Sequence, residues 1–137
     1  MTQTVLIDTG PLIAFLSAES IHREWVKGQW QRATPPFFTC EPVFTEAAFL
    51  LKRERRDTDA LFDLLERGTV QLAFNMQEER AAVRTLMHRY ANRPMSLADA
   101  CLVRMSEMHR DAQILTFDSD FRVYRRHGNK VIPLLTP

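Results

Sequence analysis

The sequence TVLIDTGP at residues 4–11 decides the fold. Residues 4–8 form a short apolar run that ends on Asp8, and such a run is most simply a buried strand. Residues 9–11 form a turn in which Pro11 suits the first position of a helix, because the N–H that proline lacks has no partner there. The chain therefore begins with a strand, a turn and a helix, and a carboxylate stands where the strand ends.

The same alternation of strand and helix continues to the end of the chain. Further strands are predicted at residues 37–39, 70–74, 113–116 and 131–133. Because strands separated by helices favour a mostly parallel sheet covered on both faces, we expect a three-layer α/β/α fold with a central sheet of four to five strands in a single domain, residues 1–137. Helices are predicted at residues 12–16, 21–32, 41–55, 58–66, 77–90 and 96–109, and a turn with a short helix at residues 118–126.

The composition is that of an ordinary soluble domain, with 45% hydrophobic and 26% charged residues. The net charge of +1 argues against a strong global field, but 15 of the 18 basic residues are arginine. Arginine suits bidentate contact with phosphate better than lysine does, although a GC-rich genome explains the same bias.

Cysteine usage and hydropathy exclude several classes of protein. Cys40 and Cys101 stand far apart without a C-x-x-C partner, which favours neither a disulfide framework nor a zinc site. The sequence enters a strand pattern without a charged leader, and no apolar run is long enough for a membrane span. We therefore expect a cytoplasmic protein that does not contact a membrane.

Four acidic residues stand among apolar neighbours, where a soluble protein has little reason to place a charge. Asp8 and Asp118 lie at the carboxyl ends of the first and fourth predicted strands. Glu46 and Asp99 lie in the first halves of helices, with apolar residues three and four positions further on, which predicts that both face the core. Ligands of open parallel sheets bind beyond the carboxyl ends of the strands, where the strand order reverses. If the first and fourth strands are neighbours, Asp8 and Asp118 come close together at that place.

Carboxylates packed together repel one another unless a cation compensates their charge. Mg²⁺ and Mn²⁺ are hard cations that take oxygen ligands and commonly bind phosphate as well. The four acids therefore favour a hydrolase with one or two divalent ions that acts on phosphate esters.

Each acid also has a local explanation. Asp99 stands three residues after Ser96 in a capping-box pattern, Asp118 suits the N-cap of a helix, and Asp8 suits an Asx turn. Glu46 is the hardest to explain in this way, because a solvated glutamate does not belong on an apolar stripe. A metal site accounts for all four residues at once.

Four sequence blocks resemble the PIN domain family. They are VLIDTGPL at residues 5–12, the helix around Glu46, MSLADA at residues 95–100 and ILTFDSDF at residues 114–121, and their order and spacing match over the whole chain. PIN domains are metal-dependent ribonucleases with a central parallel sheet, and small single-domain members are most often VapC-type toxins. The resemblance implies an endoribonuclease that uses Mg²⁺ or Mn²⁺ and leaves a 5′-phosphate and a 3′-hydroxyl.

The resemblance also assigns acids to the site. Carried over by position, Asp8, Glu46, Asp99 and Asp118 are the catalytic, metal-binding residues. Asp120 matches a further acid of some members, and its alternative is a solvated residue at the start of a helix.

Two threonines and six arginines complete the candidate site. Thr9 matches a hydroxyl position from which it would bond a metal-bound water or a phosphate, and Thr116 would do likewise from the end of the fourth strand. Arginines that would contact the RNA backbone fall into two groups, for which the alternative is a solvated helix face. They are Arg53, Arg55 and Arg56, and Arg122, Arg125 and Arg126.

The resemblance further implies partners. A VapC-type protein is expected to form a homodimer, to act on RNA and to be neutralised by a short antitoxin encoded beside it. Four aromatic residues would line a groove for an amphipathic antitoxin helix, or else belong to the core: Trp25, Trp30, Phe44 and Phe62. The alternative functions are a non-toxin RNA-processing nuclease and a catalytically silent scaffold that binds RNA or protein.

Overall fold

The computed structural model describes residues 3–137, which form a five-stranded sheet flanked by helices. Residues 1 and 2 of the predicted domain lie outside the described residues. The strands of the sheet are β1 (Val5–Ile7), β2 (Phe37–Thr39), β3 (Val70–Leu72), β4 (Gln113–Leu115) and β7 (Leu134–Leu135), and β5 (Arg125–Arg126) and β6 (Lys130–Val131) form a separate hairpin. The helices are α1 (Thr9–Leu16), α2 (Arg23–Arg32), α3 (Glu41–Arg53), α4 (Asp59–Glu66), α5 (Arg80–Arg89) and α6 (Leu97–Met108), with a short 3-10 helix at Ser119–Arg122.

The sheet is parallel, and its strand order is β3-β2-β1-β4-β7. The chain runs outward from β1 through β2 to β3, and then returns to add β4 and β7 on the other side of β1. The strand order therefore reverses between β1 and β4, where Ile7 lies opposite Leu115. The predicted parallel sheet and three-layer fold are confirmed, and so is the expected adjacency of the first and fourth strands.

Helix α6 packs against β1 and β4 and holds much of the core. Its sequence is apolar on nearly all sides, and residues 100–103 are all buried. This pattern is typical of a helix enclosed by other elements rather than lying on a surface. Within residues 3–137, no helix is long and apolar enough to cross a bilayer.

The C-terminal segment differs from its prediction. Residues 118–126 were expected to form a turn and a short helix, but β5 occupies the last two of them and pairs with β6. His127 and Gly128 have φ of 52° and 84°, and these positive values make the tight turn between the two strands. The strand predicted at residues 131–133 is wrong in its bounds, because the fifth strand of the sheet is β7, after Pro133.

Two helix starts also differ from the predictions. Helix α1 begins at Thr9 instead of residue 12, because the side chain of Asp8 accepts a hydrogen bond from the Thr9 N–H. Helix α4 begins at Asp59, one residue later than predicted, and the side chain of Thr58 before it makes no capping hydrogen bond. The N–H of Asp59 bonds to the Oδ1 of Asp57 instead, at 2.9 Å.

Candidate metal centre

Asp8 stands at the point where the strand order reverses, and two hydrogen bonds fix its carboxylate. Its Oδ1 accepts from the Thr9 N–H at 2.8 Å, and its Oδ2 accepts from the Thr116 hydroxyl at 2.7 Å. Thr116 follows β4, so its hydroxyl ties the end of β4 to the end of β1. The same hydroxyl accepts from the Asp118 N–H at 2.9 Å. Asp8, Thr116 and Asp118 are thereby joined in one hydrogen-bonded chain.

Asp99 is positioned by the first turn of α6. The Ser96 hydroxyl accepts from the Asp99 N–H at 3.0 Å, and the Asp99 Oδ2 accepts from the Ser96 N–H at 3.2 Å. This reciprocal capping box fixes the start of the helix. The Asp99 Oδ2 also accepts from the Tyr124 hydroxyl at 3.2 Å, so a residue from the C-terminal segment holds the same carboxylate.

The acids meet in one open cleft of about 460 Å³. Glu46 borders it from α3, opposite the ends of β1 and β4. The prediction that Glu46 faces the core is wrong: its side chain is exposed, because this stripe of α3 turns toward the cleft and solvent, and Phe49, three residues on, is 62% exposed. The residues that line the cleft are Asp8, Thr9, Gly10, Glu46, Leu50, Pro94, Ser96, Asp99, Phe117 and Asp118.

Burial and mutual repulsion disfavour the charged state of these acids. Burial raises the pKa of Asp8 from 3.8 to about 6, and the charges of Asp99 and Asp118 add to the rise. The hydrogen bond from Thr116 lowers the same pKa but does not offset burial. Burial also raises the pKa of Asp99, with a smaller contribution from the charge of Asp118. The pKa of Glu46 is raised by partial burial and by the charge of Asp99. The carboxylates therefore lie close enough to influence one another.

A divalent cation fits the chemistry of this cleft. Within residues 3–137, no group of three or more acidic, histidine or cysteine side chains is arranged as a ready-made site for an ion. Mg²⁺, however, usually takes one or two carboxylates and keeps several waters, so a shared hydrated ion does not require three direct ligands. The buried Thr9 hydroxyl borders the cleft and has no hydrogen-bond partner among the described residues, which leaves one donor available to a ligand.

The remaining candidate residues lie outside the cleft. Asp120 is half-buried in the first turn of the 3-10 helix, where its N–H bonds to Asp118 at 2.9 Å. This placement favours the helix-start alternative for Asp120. Arg53 and Arg55 are exposed at the end of α3 and just after it, and Arg122 is also exposed.

The other three arginines have partners within the protein. Arg56 forms ion pairs with Glu19 at 3.0 Å and with Glu54 at 3.5 Å. Arg125 donates to the carbonyl of Arg122 at 2.6 Å, so its guanidinium is bound to its own chain. Arg126 donates to the carbonyls of Ser106 and Arg110. These contacts favour a structural role for all three.

The four aromatic residues proposed for a partner groove divide between core packing and surface. Trp30 stacks on Phe15 with ring centroids 4.0 Å apart, and Trp25 packs near Phe117. Phe44 and Phe62 contact each other edge to face at 5.2 Å, and Phe62 is 53% exposed. Phe44 and Phe62, from α3 and α4, therefore form a pair in which Phe62 is exposed and Phe44 packs against the core.

Sequence reasoning did not single out Tyr124. Its ring is fully buried between Phe121 and Tyr90, and its hydroxyl reaches Asp99, 25 residues earlier in the chain. Burial, together with the charge of Asp99, raises the pKa of Tyr124. A buried tyrosine needs a hydrogen-bond partner for its hydroxyl. A sequence position expected to be buried could therefore have indicated that Tyr124 has a partner, but which residue it is depends on the fold.

The parallel sheet, with acids gathered where its strand order reverses, defines an α/β protein whose cleft suits a divalent cation and a phosphate ester. The PIN domain profile matches residues 5–126. The chain therefore belongs to the PIN domain family, a family of nucleases.

Solved structures of toxins have the same fold. VapC20 from Mycobacterium tuberculosis, described as a sarcin-ricin loop cleaving toxin, is 20% identical with a TM-score of 0.75, over 88% of this chain and 94% of that one. A toxin–antitoxin complex from Klebsiella pneumoniae is 20% identical with a TM-score of 0.66, over 86% of this chain and 90% of that one. A search of curated proteins found no significant match.

Proposed function

We propose that this protein is an Mg²⁺- or Mn²⁺-dependent endoribonuclease and the toxin of a type II toxin–antitoxin pair. The observation that carries the proposal is the convergence of Asp8, Asp99 and Asp118 with Glu46 in one cleft of a PIN-family fold. The description of the similar M. tuberculosis protein as a toxin that cleaves the sarcin-ricin loop supports the same class of substrate.

All four acids would take part in binding the ion. Asp8, Asp99 and Asp118, from the strand ends and from α6, and Glu46, from α3 across the cleft, would share a hydrated ion, one or two of them directly and the others through its waters. When bound, a divalent cation activates water for attack on phosphorus and stabilises the charge that develops on the phosphate.

The neighbouring polar groups set the geometry of the acids. The Thr116 hydroxyl orients Asp8, and the Tyr124 hydroxyl orients Asp99. Polar partners of this kind fix the orientation of metal-binding groups and tune their basicity. The Thr9 hydroxyl is free to donate to a phosphate oxygen or a water in the cleft.

Among the six candidate arginines, Arg53 is an exposed one that shares a helix with Glu46. Leu50 and Arg53 stand four and seven residues after Glu46 on α3, so all three lie on one face of the helix, and Leu50 borders the cleft. At a rise of about 1.5 Å per residue, Arg53 lies about 10 Å beyond Glu46 along the helix axis. An exposed guanidinium there can contact a phosphate adjacent to the one that is cut.

Cleavage of RNA by matched variants tests this function. With Mg²⁺ or Mn²⁺, we expect the wild type to leave 5′-phosphate ends and the Asp8→Asn and Asp99→Asn variants to lose at least about 100-fold in rate, because each removes a charge that holds the cation. Asp63→Asn, an exposed change on α4, is the control and should cleave normally. Undiminished cleavage by the Asp8 and Asp99 variants would contradict the assignment of these acids to the catalytic site.

The toxin role requires an antitoxin, and the resemblance also predicts a homodimer. One of the similar structures is a toxin–antitoxin complex, which supports an antitoxin for this chain. Expression with the product of the adjacent upstream reading frame should yield a stable complex that no longer cleaves RNA. Light scattering of the purified chain should give twice its mass of 15.9 kDa. A monomer that no neighbouring gene product inhibits would favour an RNA-processing nuclease instead.

A further inference from the structure

Phe117 places an aromatic ring in the wall of the acid cleft. The residue lies between Thr116, whose hydroxyl donates to Asp8, and Asp118, whose backbone N–H donates to the same hydroxyl. Its ring is partly exposed and borders the cleft together with Gly10. Neither the metal-binding acids nor their hydrogen-bond partners require an aromatic residue at this position.

The Phe117 ring is held from several sides. The His22 ring packs against it with centroids 4.5 Å apart and planes 39° apart, and the Trp25 ring lies at 6.1 Å. On the side of α1, a Cβ added at Gly10 would lie 3.0 Å from the Phe117 Cδ2. A side chain larger than that of glycine at position 10 would therefore crowd the Phe117 ring. A ring held in this way loses little further freedom when a ligand binds against the part of it that borders the cleft.

We propose that Phe117 is the stacking platform for one unpaired nucleobase of the RNA, next to the phosphate that is cut. This inference rests on the proposed ribonuclease function and adds to it a base-binding position. A phosphate held over Asp8 and Asp118 carries a nucleoside on each side, and Phe117 borders the same cleft. The face of a neutral aromatic ring attracts any base by stacking, so the platform selects an unstacked, single-stranded nucleotide rather than a particular sequence.

The charges around the ring favour a base over a second phosphate or an acidic peptide. Asp8, Asp99 and Asp118 share the cleft with Phe117 and would repel further negative charge. A single rigid ring beside a phosphate-binding site suits a single base.

The test is steady-state cleavage of a short single-stranded RNA in Mn²⁺ by the wild type, Phe117→Leu and Phe117→Tyr. Phe62→Leu, which removes an exposed ring from α4, is the matched control. Because stacking on an aromatic side chain contributes about 1–3 kcal/mol per base, we expect Phe117→Leu to lose roughly 5- to 100-fold in kcat/KM. Phe117→Tyr keeps an aromatic face and should stay within about threefold of the wild type.

A second substrate makes the test independent of how the variants fold. An RNA that lacks the base on one side of the mapped cut should reduce wild-type kcat/KM by about the same factor as Phe117→Leu, and the variant should lose little more on that RNA, because both changes remove one contact.

Three results would overturn the inference. In the first, the wild type cleaves abasic and normal RNA equally well. In the second, Phe117→Leu matches Phe62→Leu, or loses binding to a protein partner while its RNA cleavage is unchanged; the ribonuclease function stands in both of these cases. In the third, the wild type cleaves no RNA, and the proposed function falls together with the platform.

Discussion

Asp8 shows how one residue serves the fold and the site together. Its Oδ1 caps α1 through the Thr9 N–H, and its Oδ2 ties β1 to the end of β4 through Thr116. The local explanations are correct for Asp99 and Asp118, since Asp99 completes a capping box and Asp118 caps the 3-10 helix, whereas Asp8 is a helix N-cap instead of the predicted Asx turn. Capping therefore does not exclude metal binding at these positions.

Asp8→Asn is expected to stabilise the metal-free protein at neutral pH. The folded-state pKa of Asp8 is about 6, above its ordinary value of 3.8, so the folded state binds more protons between these two values. Its contribution to stability is therefore present below pH 3.8, falls as pH rises to about 6, and stays low above it. The difference corresponds to about 3 kcal/mol, to order of magnitude.

Denaturant unfolding in a chelator, between pH 4.5 and 7, measures this effect. Asparagine keeps an oxygen that can cap α1, so the difference between wild type and variant reports the charge of Asp8, including its repulsion with Asp99 and Asp118. The Asp8→Asn variant should become more stable relative to the wild type as the pH rises. If the free energies of unfolding of wild type and variant changed in parallel with pH, ionisation of Asp8 would not destabilise the folded protein.

Tyr124→Phe is expected to weaken metal-dependent activity without disturbing the core. The change removes the hydroxyl that bonds to the Asp99 Oδ2 and keeps the buried ring. Loss of such a supporting hydrogen bond typically costs 10- to 100-fold in metal affinity or activity, so we expect roughly tenfold at limiting Mn²⁺. Tyr90→Phe is the control, because the Tyr90 hydroxyl bonds to the Arg125 N–H and not to an acid. Equal losses in both variants would assign the effect to general packing.

At the scale of elements, the start of α6 couples helix stability to the site. Ser96 and Asp99 bond to each other at the first turn, and the helix they begin packs against both β1 and β4. Any loosening of this turn moves the Asp99 carboxylate. The capping box is thus part of the candidate metal centre as well as a helix start.

Ser96→Ala should destabilise the protein by about 1 kcal/mol, the usual cost of losing an N-cap. Because the Asp99 N–H loses its partner, Mn²⁺-dependent cleavage should also fall, and Ser96→Thr should restore both properties. Denaturant unfolding and cleavage rates measure the two effects. Ser119→Ala, at an exposed position in the 3-10 helix, should change neither. A Ser96→Ala protein that unfolds at the wild-type midpoint would contradict the capping role.

The sequence pattern predicted most of the elements because their signals are local. The apolar runs and the Ser96 cap act within a few residues. The prediction was weakest at the C-terminus, where residues 125–126 pair with β6 instead of ending a short helix, because a strand of two residues is too short to show an alternating pattern. It was also wrong about the side of α3 that carries Glu46, since helical spacing cannot distinguish a core from the wall of a cleft.

Contacts between distant residues were beyond the sequence pattern. The Tyr124 hydroxyl meets Asp99, and the Phe117 ring fills the space left by Gly10, only because the sheet brings these segments together. The residue types gave no indication of either pairing. Such contacts are the part of the candidate site that required the structure.

At the scale of the whole molecule, the strand order gathers the acids. Residues far apart in sequence, such as Asp8 and Asp118, meet because β1 and β4 are parallel neighbours at the reversal of the order. The chain as a whole carries a net charge of only +1, so the negative charge of the cleft is local. The charges of Asp99 and Asp118 raise the pKa of neighbouring acids in the cleft, and a bound cation would relieve this repulsion.

Thermal unfolding with and without Mn²⁺ tests the central claim most directly, since it asks whether these acids form one cation site. A ligand that binds only the folded protein stabilises it by about 2.7 kcal/mol at 100 times its Kd. We predict that saturating Mn²⁺ raises the unfolding midpoint of the wild type and of Asp63→Asn equally, and that Asp99→Asn loses most of this shift. A wild-type unfolding midpoint that does not change with Mn²⁺ would contradict the account, and so would a midpoint of Asp99→Asn that rises as much as that of the wild type.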